Sequence, residues 1–313
     1  MYKNRRVCVV VPAYNEAKHI SKVIRGIPDF VDHIVVVDDA STDNTADIAR
    51  SATGRVEVTR HSSNQGLGGA LITGHKRAIE LNADISVIMG GDDQMDPRYL
   101  PALLDAIIDD GYDYAKGNRF MASGLEKMPK LRILGNSVLS FLTKTASGYW
   151  RIFDPQNGYT AIRVKILKSL DLDAMQHGYQ FENDMLVRLN ILGARVKDVP
   201  IPAVYKGEQS KVRLLPFAVR TSICLFKDFH VRLYRKYILY DLHPFALLYV
   251  TGASLFSWGS LLSAYFLYLR YVSTERISPS TGSVMIAAIP LFIGIQLLLT
   301  ALLVDLEEGR RLS

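Results

Sequence analysis

The residues best equipped for chemistry in this chain are carboxylates that follow apolar runs. GGDDQMDP, Gly90 to Pro97, places Asp92 and Asp93 directly after the run Ile85–Met89. Adjacent carboxylates between a strand end and a helix suit a hard divalent cation. Mg²⁺ or Mn²⁺ takes oxygen ligands and bridges a protein to substrate phosphates, where it can neutralise a departing diphosphate. VVDDASTDNT, Val36 to Thr45, puts Asp38 and Asp39 where another apolar run stops. Carboxylates there can accept hydrogen bonds from a ribose or a base edge, and Ser41 and Asp43 read equally well as a helix N-cap. VVPAYNE, Val10 to Glu16, ends a third run with a proline and small polar residues. These leave backbone groups free to meet a flat base.

Positioning such residues requires a sheet. Val7–Val11, Ile34–Val37, Val56–Arg60 and Ile85–Met89 read as strands; Ala17–Ile27, Thr42–Ala52, Gly66–Leu81 and Pro97–Asp110 read as helices, the last with proline in its first turn. Strands alternating with helices imply an α/β domain with a doubly wound, mostly parallel sheet. Such sheets bind ligands beyond the carboxyl ends of their strands, where all three motifs fall. HSSNQGLGGAL, His61 to Leu71, lacks the Gly-x-Gly-x-x-Gly spacing, which disfavours a dinucleotide-dependent oxidoreductase. His61 and His75 have no metal-type companions and read as structural.

The tail has another composition. Pro244–Leu269 holds 26 residues and Ser283–Val304 holds 22, all without Asp, Glu, Lys or Arg. At 1.5 Å per residue each can span a hydrocarbon core of about 30 Å, so the pair reads as a transmembrane hairpin. Eight Lys or Arg lie between Lys206 and Lys236, and Arg310 and Arg311 follow the second span. This bias places the large domain and both termini in the cytoplasm of a multi-pass protein of the cell membrane. Val219, Ile223, Phe226, Phe229, Leu233 and Tyr237 recur at helical steps, as in a helix lying in the membrane interface. The organisation expected is therefore 1–213 as a catalytic domain, 214–243 as interfacial amphipathic helices, and 244–313 as hairpin and short tail. The net charge of +6 fits loops facing anionic lipid. No basic run interleaved with aromatics supports nucleic acid binding. Cys8 and Cys224 lie in apolar settings without metal spacing and read as thiols of a reducing compartment. Met1 to Arg6 leads straight into VCVVV, without a signal-peptide pattern.

The three motifs in this order resemble glycosyltransferase family 2, with its GT-A fold, and more closely its polyprenyl-phosphate branch, the dolichyl-phosphate mannose and glucose synthases and their bacterial relatives. The resemblance implies an inverting transfer of a hexose from a nucleotide-sugar, UDP-glucose or GDP-mannose, to a polyprenyl or dolichyl phosphate, with one bound metal. It implies that Pro12, Tyr14, Glu16 and Asp38 line the nucleotide pocket, with Asp39 beside them. Asp92 stands at the second acidic position of the family's Asp-x-Asp motif and Gln94 follows it; Gly90 stands where the family has the first acid, and Asp93 is the candidate to supply that oxygen. Arg119 in KGNRF and Arg132 in PKLRILGNSVLS, a segment that also holds Asn136, correspond to arginines that grip the acceptor phosphate. The planar fork of Arg suits that task. Asp154 in DPQNGYTA corresponds to an acid near the reacting sugar, and GYQFENDM supplies Glu182 and Asp184 as acceptor-binding candidates, one of which should face the acceptor. Ser210, Lys211 and Arg213 in YKGEQSKVR correspond to a basic loop that closes over the donor diphosphate. Two other classes stand beside this reading: a transferase using a sugar hydroxyl as acceptor, and a non-catalytic scaffold that binds the lipid carrier. A second copy of the chain is a further candidate partner.

Overall fold

The computed structural model of the chain describes residues 1–119, 130–202, 214–239, 243–273 and 278–313, with 130–137 and 214–218 described as backbone only. Two compact units are present. One comprises Met1–Phe229 with Leu312–Ser313, the other His230–Arg311, so the boundary falls inside a helix.

The first unit is built on a seven-stranded sheet: β1 (Val7–Ala13), β2 (His33–Asp38), β3 (Val56–Arg60), β4 (Ile85–Ile88), β5 (Tyr114–Asn118), β6 (Thr160–Arg163) and β7 (Val196–Pro200), in the order β3-β2-β1-β4-β6-β5-β7. Strands β1 to β4 pair in parallel, as the alternating pattern demands. Strand β6 runs antiparallel to both β4 and β5, and β5 pairs in parallel with β7. Every strand but β6 therefore ends at the same sheet edge, and β6 begins there. The segment before β6 thus meets the segments after the other strands, an arrangement the alternation alone did not announce.

Strand β1 is buried along its whole length. Its β-branched residues serve two cores because successive side chains point to opposite faces. Val7, Val9 and Val11 pack with α1 (Ile20–Gly26) and α4 (Leu100–Ile108) through Ile20, Ile24, Leu103 and Ile107. Cys8 and Val10 pack on the other face with α3 (Gly66–Glu80) and α7 (Phe181–Ile191) through Leu71, Phe181 and Met185. Burial pushes the Cys8 thiol up to about 12, so it behaves as a small apolar residue. Between them in sequence, α2 (Thr45–Ala52) follows β2, α5 (Lys130–Ser147) follows β5, and the short α6 (Val164–Leu167) follows β6. The helix α8 (Leu214–Arg232) joins α5 and α7 through Leu225 and Phe229, which meet Ala146 and Val187. Its Val219, Ile223 and Phe226 are exposed.

The second unit continues from α8 into a π-helical segment, Leu233–Leu239, then α9 (Pro244–Tyr271) and α10 (Thr281–Leu312). Both long helices are apolar and long enough to cross a membrane. They meet along small residues. A Cβ on Gly259 would stand 2.6 Å from the Leu291 nitrogen, and one on Gly294 would stand 2.5 Å from the Phe256 nitrogen. Where lipid surrounds a helix pair, such close backbone approach is the main source of association. At one end of the unit Arg232 is fully buried and forks onto Asp305 at 2.7 and 3.0 Å, while the Tyr237 hydroxyl donates to Asp305 at 2.7 Å. A buried guanidinium needs such a bidentate partner.

Candidate active site

The loops after β1 and β2 are stitched to one another. Asn15 N donates to Ser41 Oγ at 2.9 Å, Glu16 N to Thr45 Oγ1 at 2.9 Å, Ala17 N to Asp43 Oδ2 at 3.2 Å, and Thr42 N to Asn15 Oδ1 at 2.8 Å. The small polar residues of ASTDNT thus hold YNE in place, and Tyr14 is left half-exposed beside them. Pro12 is buried in β1, and its carbonyl accepts from Gly91 N at 3.2 Å, which ties the β4 loop to the same point. An open groove of about 740 Å³ lies at the ends of β2 and β3, lined by Ala40, Ser41, Thr42, Arg60, His61 and Ser62.

The paired acids after β2 divide their work. Asp38 is fully buried; its Oδ1 accepts from Ser41 N at 3.1 Å and its Oδ2 is ion-paired with Arg60 Nε at 3.1 Å. Asp39 commits its carboxylate to the turn that opens α3. Oδ1 meets His61 Nδ1 at 2.7 Å and accepts from Gln65 N at 2.8 Å, and Oδ2 accepts from Gly66 N at 2.9 Å. His61 in turn meets Thr73 Oγ1 at 2.9 Å. Asp39 therefore shapes the groove through its neighbours, among them His61, which lines it. His75 is wholly buried against Ser86 Oγ, and burial pushes it down to about 4.

The loop after β4 presents one carboxylate to the edge. Asp92 Oδ1 accepts from Gln94 N at 3.1 Å, whereas Asp93 adopts a left-handed φ of 59° and pairs with Lys22 Nζ at 2.6 Å. A Cβ on Gly90 would lie 3.0 Å from Asp92 Oδ1, so an acid at that position would stand beside Asp92. No group of three or more His, Cys, Asp or Glu is gathered for a metal among the described residues. The residues present fit a cation held by Asp92 and by substrate oxygens, the minimal arrangement Mg²⁺ accepts. They do not fit one that also takes Asp93 while its pair with Lys22 stands.

The segments KGNR and DPQNG, far apart in sequence, are mated along the end of β5. Lys116, fully buried, donates from Nζ to the Asn157 carbonyl. Asn157 Nδ2 donates to the Gly117 carbonyl at 2.8 Å, and Gly117 N to the Tyr159 carbonyl at 2.9 Å. Asn118 Nδ2 and Phe153 N both donate to Asp198 Oδ2, at 2.6 and 2.8 Å. Arg119 grips Asp154 three ways: Nε to Oδ2 at 2.7 Å, Nη2 to Oδ1 at 3.0 Å, and its backbone N to Oδ2 at 3.2 Å. Burial lowers the Lys116 pKa, against the pull of Glu182, Asp154 and Asp198. Burial raises Glu182 and pushes the Asp198 carboxyl up to about 6.

These geometries place the expected residues. Pro12 and Asp38 lie in the last residues of β1 and β2, and Tyr14, Glu16, Asp39, Asp92, Asp93, Gln94, Arg119 and Asp154 lie on loops at the same sheet edge. Glu182 reaches that edge from the first turn of α7, while Asp184, two residues on, is taken by Arg188 Nε at 2.8 Å and Gln176 N at 3.0 Å. Arg132 and Asn136 lie on α5, their side chains outside the description. Ser210, Lys211 and Arg213 lie outside the described residues. Lys116, Asn157 and Asp198 were not singled out from sequence. The first two sit inside motifs already noticed, but Asp198 follows no motif.

The sequence model of glycosyl transferase family 2 matches residues 8–171. The UDP-N-acetylglucosamine–dolichyl-phosphate N-acetylglucosaminyltransferase of Methanococcus voltae is 31% identical over 219 residues, covering 64% of this chain and 87% of that protein. The undecaprenyl-phosphate mannosyltransferase of Micrococcus luteus is 34% identical over 206 residues, covering 64% and 84%. Among solved structures, glucosyl-3-phosphoglycerate synthase from Mycobacterium tuberculosis, in complex with Mn²⁺, UDP and glucosyl-3-phosphoglycerate, superposes with a TM-score of 0.54 at 22% identity over 73% of this chain and 80% of that one. That likeness concerns the fold and agrees with the GT-A expectation.

Proposed function

Because the chain belongs to glycosyl transferase family 2, we propose that it transfers a hexose, with inversion, from a nucleotide-sugar such as UDP-glucose or GDP-mannose to a polyprenyl or dolichyl phosphate. The observation that carries the acceptor is that relatives named for different sugars, N-acetylglucosamine and mannose, are named for the same class of lipid phosphate. Two helices of membrane-spanning length in this chain support the same acceptor, since a long polyprenyl carrier resides in the bilayer.

On this reading the groove beside Ala40–Thr42 and Arg60–Ser62 receives the nucleoside, with Tyr14 offering a flat face at its side. Asp92 would hold Mg²⁺ or Mn²⁺ together with the diphosphate, and the cation would supply charge neutralisation for the leaving group. The acceptor is a phosphate monoester, already anionic near neutral pH, and its oxygen needs little help from a base. The protein's task is to bring two anions together in line and offset their repulsion. Arg119, Arg132 and Lys211 are the cations assigned to that task. Asp154 fixes the direction of the Arg119 fork before substrate arrives. The positive charge around residues 206–236 favours a cytoplasmic site facing anionic lipid.

The test is release of nucleoside diphosphate by the full-length protein in detergent. UDP-glucose, GDP-mannose and UDP-N-acetylglucosamine are offered in turn, with and without a polyprenyl phosphate. Release from one donor that depends on the lipid and is abolished by chelator or by Asp92→Ala supports the reading. Release that ignores the lipid and requires a free sugar as acceptor would replace it with the sugar-hydroxyl alternative, and no release with any donor would leave the scaffold.

A further inference from the structure

One buried acid at the sheet edge has a carboxylate oxygen without a hydrogen-bond partner among the described residues. Glu182 stands in the first turn of α7 and is 4% exposed. Its Oε2 is enclosed and has no hydrogen-bond partner among the described residues. A carboxylate taken from water without compensating hydrogen bonds is strongly disfavoured. Its neighbour Asp184 accepts from two donors, and Asp154 is held by Arg119. The nearest cationic influence, Lys116, directs its ammonium to the Asn157 carbonyl.

The surroundings say what Glu182 faces. Its Oε1 lies 3.4 Å from where a Cβ on Gly158 would stand, and Met95 Cε lies 3.4 Å from the same point. Gly158 itself is only partly buried. Met95 belongs to the loop that carries Asp92, and its sulfur accepts from Gly90 N at 3.0 Å. Glu182 and the diphosphate-facing loop are therefore separated by a small space whose floor has no side chain.

The geometry points to Glu182 as a donor-sugar-binding residue, its carboxylate accepting hydrogen bonds from hydroxyls of a pyranose seated over Gly158. This deepens the reading above and rests on it. The chemistry selects the sugar over the other ligands. A phosphate dianion has no proton to donate and would be repelled by a carboxylate, and a polyprenyl chain offers only hydrocarbon. A hexose offers vicinal hydroxyls, which a carboxylate accepts strongly. Glu182, one of the two candidates to face the acceptor, is reassigned to the donor.

The experiment compares two affinities on the full-length protein by calorimetry: a nucleotide-sugar and its nucleoside diphosphate alone, UDP-glucose against UDP and GDP-mannose against GDP. Glu182→Gln keeps the shape and removes the charge. The inference expects it to weaken the nucleotide-sugar by roughly tenfold or more and to leave the nucleoside diphosphate within about twofold. Gly158→Ala, which adds a methyl group above the floor, gives the same selective loss if Glu182→Gln proves too unstable to measure. Equal effects on both ligands, or none on either, overturn the inference. The second outcome together with a loss of stability would make Glu182 an internal electrostatic neighbour of the buried Tyr114 hydroxyl. If the wild-type protein binds none of the nucleotide-sugars, it is the transferase reading that fails.

Discussion

Removing the Arg119 guanidinium should cost more in stability than a phosphate-binding arginine at an open site normally would. Arg119 makes three hydrogen bonds to Asp154, two from its fork and one from its backbone, and the Asp154 side chain is 2% exposed. Arg119→Ala deletes the two charged bonds and leaves a carboxylate buried with only a backbone donor. Breaking a fully buried pair costs about 3–5 kcal/mol. The Arg119 side chain is 37% exposed, so water can reach part of the vacated space, and about 2–3 kcal/mol is the better expectation. In a unit of this size that corresponds to a fall in Tm of roughly 4–12 °C. The assay is denaturation of the full-length protein in detergent, followed by a double-mutant cycle with Asp154→Asn. The pair Arg119→Ala with Asp154→Asn should recover part of the loss, with a coupling energy of at least about 1.5 kcal/mol. An Arg119→Ala protein within about 0.5 kcal/mol of wild type, with coupling near zero, would refute the reasoning. Arg119 would then be an unencumbered phosphate ligand, and its contact with Asp154 incidental.

Other outcomes follow from the same geometry. Asp198, raised to about 6 by burial, binds its proton more tightly folded than unfolded. Its contribution to stability is present at acid pH and is lost as pH rises through about 6. Buried His75, lowered to about 4, acts in the opposite sense, so the check is the difference between wild type and Asp198→Asn. That variant keeps an acceptor for Asn118 and Phe153, and its advantage should grow between about pH 4 and 7; a difference that is flat with pH would contradict it. Gly294→Leu should separate α9 from α10, since even a Cβ would stand 2.5 Å from the Phe256 nitrogen. Helix association measured by crosslinking in vesicles should fall, and unaltered association would contradict the close packing. Truncation before Pro244 should leave nucleotide-sugar affinity within about twofold of the full chain while turnover of a long polyprenyl phosphate falls by at least about tenfold relative to a short soluble analogue; equal loss on both acceptors would mean that the hairpin supports the catalytic fold.

Much of this arrangement was legible in sequence because local signals agreed. The β-branched runs at Val7–Val11 and Ile34–Val37 can bury both faces only in the middle of a sheet, and both occupy central strands. The carboxylates after them were bound to fall at one edge once the strands were parallel. The two uncharged stretches become α9 and α10; α9 adds two residues beyond its stretch and α10 adds ten, among them Asp305, Glu307, Glu308, Arg310 and Arg311. What escaped the sequence was pairing across distance. Nothing local in DPQNGYTA says that β6 runs backwards, yet that reversal brings Asn157 to Lys116 and Asp154 to Arg119. Nor does a pair of adjacent acids reveal its division of labour. Asp39 is drawn into the α3 turn by Gln65 and Gly66, and Asp93 is turned toward Lys22 by a left-handed backbone.

The account stands most directly on the identity of the lipid product. Full-length protein, incubated with a polyprenyl phosphate and the donor whose nucleotide it releases, should yield a lipid heavier by one hexose residue. Mass spectrometry should find the sugar on the phosphate, and NMR should find its anomeric configuration inverted relative to the donor. Asp92→Ala should yield none. A lipid whose mass does not change while a free sugar acquires the hexose, or a product with retained configuration, would contradict the account.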